Sequence, residues 1–213
     1  NIDHIVMAHH DERLRDVYRR ARLSLPDGQP VVWMARLLGA GAVPKISGSD
    51  LIEPLMAHAA EHDHPVFLFG ASPASSAEAA RRLTHRYPQL RIVGRDTSLL
   101  SSHDSTAPDD SPVVQAIRAS GAHIVVVAMG GPKQELWMAR HADALRPAVL
   151  LGLGASLDFV AGTVTRAPRW LSNAGLEWLY RLAQEPRRLA YRYLVRDLSI
   201  VPILARDLVH KKG

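Results

Sequence analysis

The 213-residue chain contains no cysteine, which excludes disulfides and thiolate metal ligation and fits a reducing compartment. It also lacks any apolar run near the roughly 20 residues that a bilayer-spanning helix needs. No signal peptide, internal repeat or low-complexity segment is visible, so a soluble, cytoplasmic, globular protein is expected. Its first residue is Asn1 rather than Met, and the apolar pattern starts abruptly there. The expectation is that the natural chain begins earlier.

Positive charge is concentrated in one place. Residues 166–213 hold ten Lys or Arg against four acids, whereas the remainder holds 16 bases and 17 acids. The formal charge of +5 therefore belongs to the tail, which suits an anionic partner such as lipid headgroups. The tail interleaves arginines with Trp170, Trp178, Tyr180, Tyr191 and Tyr193 and with Leu194, Leu198, Val201, Leu204 and Leu208, a pattern suited to an interfacial helix on an anionic membrane surface. No nucleic-acid-binding motif accompanies it, so no nucleic acid is expected.

Taken in order, residues 3–21 show helical periodicity in two short pieces. A brief apolar run ends at Pro26-Asp27-Gly28, and Val31 to Leu38 reads as a helix, which places Asp27 at a strand-to-helix turn. Asp50 is expected to cap a helix from Leu51 to His62. Pro65 to Phe69 and Leu90 to Val93 read as strands flanking a helix from Ser75 to Arg86, a βαβ unit that implies a parallel sheet. Residues 97–112 read as a polar loop, and Val113 to Ser120 as a helix. Ala148 to Leu153 reads as a further buried strand, and Pro186 and Pro202 divide the tail into helices 168–184 and 187–209, the second kinked or broken. The fold class is thus α/β, a Rossmann-like parallel sheet flanked by helices, with a basic helical C-terminal appendage. Two domains are expected, 1–165 around the sheet and 166–213 as the appendage.

The most informative stretch follows the β-branched run Ile124-Val125-Val126-Val127, a strand buried on both faces. Gly130 and Gly131 turn the chain, Pro132 suits a first helical position, and Lys133 and Gln134 flank the helix start. Amides at such a start attract phosphate. Ligands of doubly wound sheets gather at the carboxyl ends of strands, so Asp27, Gly70, Gly131 and Gly154 are expected on one rim.

The chain also resembles the WecG/TagA/CpsF glycosyltransferases. The resemblance is carried by Pro26-Asp27-Gly28, Gly48-Ser49-Asp50-Leu51, Gly131-Pro132-Lys133-Gln134-Glu135-Leu136-Trp137, Gly154-Ala155-Ser156-Leu157-Asp158-Phe159, Arg166-Ala167-Pro168, Gly175-Leu176-Glu177-Trp178, Tyr180-Arg181-Leu182 and Glu185-Pro186-Arg187-Arg188-Leu189. It implies an inverting transfer of an N-acetylmannosamine-type sugar from a UDP donor to a polyprenyl-diphosphate-linked acceptor, at the inner face of the cell membrane. It also implies that Asp27 is the base, although an Asp-Gly taken alone reads as a helix cap. Donor and acceptor contacts are expected from Asn1, Asp50, Gly70, Gly131, Pro132, Lys133, Gln134, Glu135, Arg181 and Arg188. Pro30 stands where such proteins commonly have glycine, Asp96 to Leu100 replaces an aromatic glycine-containing loop, and Asn1 is the end of a Thr-x-Asn element. These departures leave the donor sugar open. A non-catalytic nucleotide-sugar-binding or membrane-scaffold protein is the alternative, and homo-oligomerisation is left open.

No cofactor or metal is expected. The chain lacks the Asp-x-Asp element of many metal-dependent nucleotide-sugar enzymes. Spacing assigns His9, His10, His58, His62 and His64 to solvated or packing roles.

Overall fold

The computed structural model describes residues 1–98 and 112–210. It divides into two compact units, one of residues 48–165 and the other of residues 1–47 together with 166–213. Residues 1–47, expected with the sheet, fall in the second of these units. They contribute helices and no strand, so no backbone ladder ties them to the sheet.

In the 48–165 unit, α4 (Gly48–Glu61) leads into β1 (Val66–Gly70), followed by α5 (Pro73–Arg86), β2 (Ile92–Asp96), α6 (Pro112–Ser120), β3 (Ile124–Ala128), α7 (Lys133–His141), β4 (Val149–Gly152) and α8 (Ser156–Ala161). The four strands are parallel in the order β2-β1-β3-β4. The period of two along the inner strands explains the layering. Val66, Leu68, Ile124 and Val126 pack with Ile52, Met56, Leu83 and Leu157 from α4, α5 and α8. On the other face, Phe67, Phe69, Val125 and Val127 pack with Val113 and Ile117 of α6 and Trp137 of α7. Every residue of β1 and β3 is buried.

Three sequence expectations shift. The second strand runs Ile92–Asp96 rather than Leu90 to Val93, because Leu90 closes a turn onto the Tyr87 carbonyl while β1 pairs with Gly94, Arg95 and Asp96. Tertiary pairing here overrides the low strand preference of Gly and Asp, and a Cβ on Gly94 would lie 2.4 Å from the Phe67 ring. The fourth strand is half-exposed rather than buried, since it is an edge strand with Val149 at 55% exposure. Helix α4 begins at Gly48, not Leu51, so Asp50 sits in its first turn, a position the helix dipole favours, instead of at the cap. The polar loop expected at 97–112 falls for residues 99–111 outside the described residues.

The other unit holds α1 (Ile2–His10), α2 (Glu12–Arg20) and α3 (Gln29–Leu37), then α9 (Arg169–Asn173), α10 (Glu177–Gln184), α11 (Pro186–Tyr191), a π turn at Arg192–Arg196, a 3₁₀ turn at Asp197–Ser199, and α12 (Ile200–His210). No strand precedes Asp27, so the strand-to-helix turn expected there is instead an irregular segment leading into α3. The first tail helix is broken at Gly175, whose φ of +75 needs glycine and whose missing Cβ leaves room for Trp33. The second is interrupted at Arg192–Ser199, upstream of Pro202, which lies in the first turn of α12.

Gly70 tests the close approach of β1 to β3. Its φ is +94, and a Cβ would meet the Ala128 carbonyl oxygen at 2.6 Å, whereas Gly121, at φ +65, faces open space. Gly70→Ala should cost about 2–4 kcal/mol in urea unfolding, and Gly121→Ala about 1 kcal/mol.

Candidate functional site

In the sheet unit, strand order reverses between β1 and β3, and this is where the carboxyl ends of strands in an open parallel sheet leave a crevice. Gly70 ends β1, Ala71 follows with a left-handed φ of 59°, and the Ala71 amide donates to the Ala128 carbonyl at 2.8 Å. Ser72 then caps α5 by accepting from the Ser75 amide at 3.0 Å. A non-glycine residue at positive φ is strained, and here it lies on the rim. Across the crevice, Gly130 takes φ +77, Gly131 and Lys133 are exposed, and Pro132 is the N-cap of α7 rather than its first residue.

Gln134 differs from expectation. It is 4% exposed. Its Nε2 donates to Glu135 Oε1 at 2.7 Å, and its Oε1 accepts from the Gly154 amide at 3.1 Å. Its own amide donates to the Gly130 carbonyl at 3.3 Å, so that helix-start donor is satisfied within the turn. Gln134 and the buried Glu135 therefore bind the turn after β3 to the turn after β4 and do not face outward. The start of α4 is drawn against the same turn: a Cβ on Gly48 would lie 2.8 Å from both the Leu153 carbonyl oxygen and Ser156 Oγ. Gly70, Gly131 and Gly154 are thus brought to one rim, with Asp50 one turn into a helix whose first residue abuts it.

Asp27 belongs to the other unit and is not at a strand end. It does not cap α3 either, since the N-cap of that helix is Gly28, with no side-chain cap. Its Oδ2 accepts from Asn1 Nδ2 at 3.2 Å. Asn1 in turn caps α1, its Oδ1 accepting from the His4 amide at 3.2 Å and from Arg192 Nη2 at 3.4 Å. Arg192 Nε lies 3.0 Å from Asp3, Arg196 Nη2 lies 2.5 Å from the same carboxylate, and the Asp3 side chain is only 4% exposed. A continuous polar chain thus runs from Asp27 through Asn1 and Arg192 to Asp3 and Arg196. This polar chain is seen only in the fold, because Asn1 and Asp3 lie nearly 200 residues from Arg192 and Arg196 in sequence. Lys45 was likewise missed; its Nζ donates to Ser172 Oγ at 2.7 Å and lies 3.8 Å from Glu177, inside the Gly175-Leu176-Glu177-Trp178 motif. Arg181 sits half-buried on α10. Arg188 lies on α11, and its side chain is outside the described residues.

A concavity of about 470 Å³ lies on the flank of the sheet, lined by Glu53, Arg81, Arg82 and Arg86 among others. These arginines are paired, Arg81 and Arg82 with Glu78 and Arg86 with Glu53. It is not the rim. Among the described residues no helix is long and apolar enough to cross a membrane.

A doubly wound parallel sheet with glycine turns at its switch point, joined in sequence to a helical unit holding an amide-braced aspartate, defines an α/β protein of the Rossmann-like kind. The family model described as Glycosyl transferase WecG/TagA/CpsF family matches residues 1–213, the whole chain, and the chain belongs to that family. It is a glycosyltransferase by that membership.

Asp197 gives this polar chain a pH signature. Burial, and then repulsion from Asp3, push its carboxyl up to about 6, against the opposing pull of Arg192 and Arg196. The folded protein then holds a proton that the unfolded chain, with an ordinary carboxyl near 3.8, has released. Stability falls as pH rises through the window from about 4 to 6, and stays lower above it. Asp197→Asn should flatten that slope in urea titrations and stabilise the protein at pH 7 by on the order of 1 kcal/mol.

Proposed function

We propose that this chain is an inverting glycosyltransferase of bacterial surface glycan synthesis. It moves an N-acetylhexosamine-type sugar, N-acetylmannosamine-like, from a UDP donor to a polyprenyl-diphosphate-linked acceptor, without a metal. The observation that carries the reading is the Asp27 carboxylate held by the Asn1 amide in the Pro26-Asp27-Gly28 motif. A carboxylate so oriented can take the proton of an acceptor hydroxyl as that oxygen attacks the anomeric carbon. The new carbon–oxygen bond forms while the bond to the diphosphate breaks, and UDP leaves with the electron pair.

The leaving diphosphate needs compensating charge. Lys133, the glycine turns at Gly70 and Gly131-Pro132, Arg181 and Arg188 are the candidates to supply it. Gln134 and Glu135 serve by fixing the turns, and Asp50 is a candidate contact to the donor. The aromatic and aliphatic surface of the tail, with Trp170, Tyr191, Leu194, Leu198 and Val201 all more than half exposed, docks the protein on the anionic inner face of the cell membrane beside arginines.

Asp27→Asn keeps shape and removes the base. With a lipid-diphosphate sugar acceptor and a panel of UDP-sugars, it should lower UDP release at least 100-fold, in line with the usual worth of a general base, while UDP binding by calorimetry stays within twofold. Binding of UDP without turnover of any donor by the unaltered chain would instead mark a non-catalytic nucleotide-sugar-binding or membrane-scaffold protein. For docking, changing Leu194, Leu198 and Val201 together to Ser should reduce co-sedimentation with phosphatidylglycerol vesicles by tenfold or more, given about 0.8 kcal/mol per buried methylene. Unchanged co-sedimentation would refute that role.

A further inference from the structure

At the opposite end of the sheet from the glycine turns, four imidazoles are gathered around the junction of α4 with β1. His58 and His62 lie one turn apart at the end of α4, with ring centroids 4.0 Å from each other. His64, just before β1, is 6.0 and 6.1 Å from those two rings. His123, just before β3, has its Nδ1 3.2 Å from that of His64. Ligand atoms of His58, Glu61 and His62 fall within 4.8 Å of one another, and all three side chains are exposed.

The backbone holds this cluster in place. Asp63 takes a left-handed φ of 51°, and the His64 amide donates back to the Ala59 carbonyl at 2.8 Å, the Schellman closure of a helix. Arg91 grips the Asp63 carboxylate with both oxygens at 3.0 Å. The His123 amide donates to the Pro65 carbonyl at 2.9 Å, which sets the fourth ring beside the third. His62 Nδ1 lies 3.1 Å from the His58 carbonyl, so it donates there and carries the ring proton, leaving Nε2 with its lone pair outward. That is the arrangement by which a backbone carbonyl prepares an imidazole for a metal.

We propose that His58, Glu61 and His62 form a binding site for a late first-row divalent cation, of the zinc, copper or nickel kind, with His64 as the adjoining imidazole. Two imidazoles one helical turn apart form a chelate, and a mixed nitrogen and carboxylate donor set selects these ions over magnesium or calcium. The site lies apart from the glycine turns of the same unit. The five residues of β1, at about 3.3 Å each, put it on the order of 15 Å from the rim.

The test uses the full chain without a histidine tag, stripped with chelator and titrated with ZnCl₂ against a chromophoric competitor. The expected result is one zinc per chain at micromolar or tighter affinity. His58→Ala and His62→Ala should each weaken it tenfold or more, with melting temperatures of the metal-free variants unchanged. His9→Ala with His10→Ala should leave it intact, since adjacent helical residues do not face one another. Absence of stoichiometric zinc binding, or binding that survives the His58 and His62 changes or disappears with the His9 and His10 pair, would overturn the proposal.

Discussion

The sheet unit depends on the double pairing of β1. Four of its residues pair with β2 along one edge and all five with β3 along the other, and both of its faces are sealed by helices. A strand so placed has backbone partners on both edges and its side chains away from water, at about 25 cal/mol per Å² of apolar surface removed. The same position creates the crevice, because the chain leaves β1 toward β2 and returns past it to β3. Gly70 is required there because the two backbones come too close for a side chain.

The helical unit has no such ladder. What joins its first helix to its tail is in part a buried charge, Asp3 with Arg192 and Arg196, nearly 200 residues apart in sequence. Removing one member of a buried pair leaves an uncompensated charge, which costs more than the pair itself contributes. Asp197 adds a second carboxylate to the two cations, and its raised pKa follows from burial and then from repulsion by Asp3. Because Arg192 also reaches Asn1, the group that braces Asp27, tail and candidate base are linked through two hydrogen-bonding side chains.

Much of this was legible beforehand. The runs Val66 to Phe69 and Ile124 to Val127, and the glycines after them, predicted inner strands and their turns, since β-branched and aromatic runs bounded by glycine have few other solutions. The motif Gly131 to Trp137 was placed correctly at a helix start, but the direction of Gln134 was not. A glutamine at a helix N-terminus can face a ligand or turn inward to bind a neighbouring loop, and its bond to the Gly154 amide exists only once β4 lies beside β3. Spacing alone assigns His58, His62 and His64 to solvated or packing roles, and His123 joins them only when β1 and β3 are adjacent.

The sequence by itself determined the fold class, the family, the lack of thiol chemistry and the concentration of basic charge in the tail, because these rest on local periodicity, composition and contiguous motifs. The tertiary structure alone decided which unit residues 1–47 joined, which polar groups braced Asp27, and which of the rim residues turned inward. These are long-range pairings, set by where strands and helices meet in space, and no local pattern encodes them.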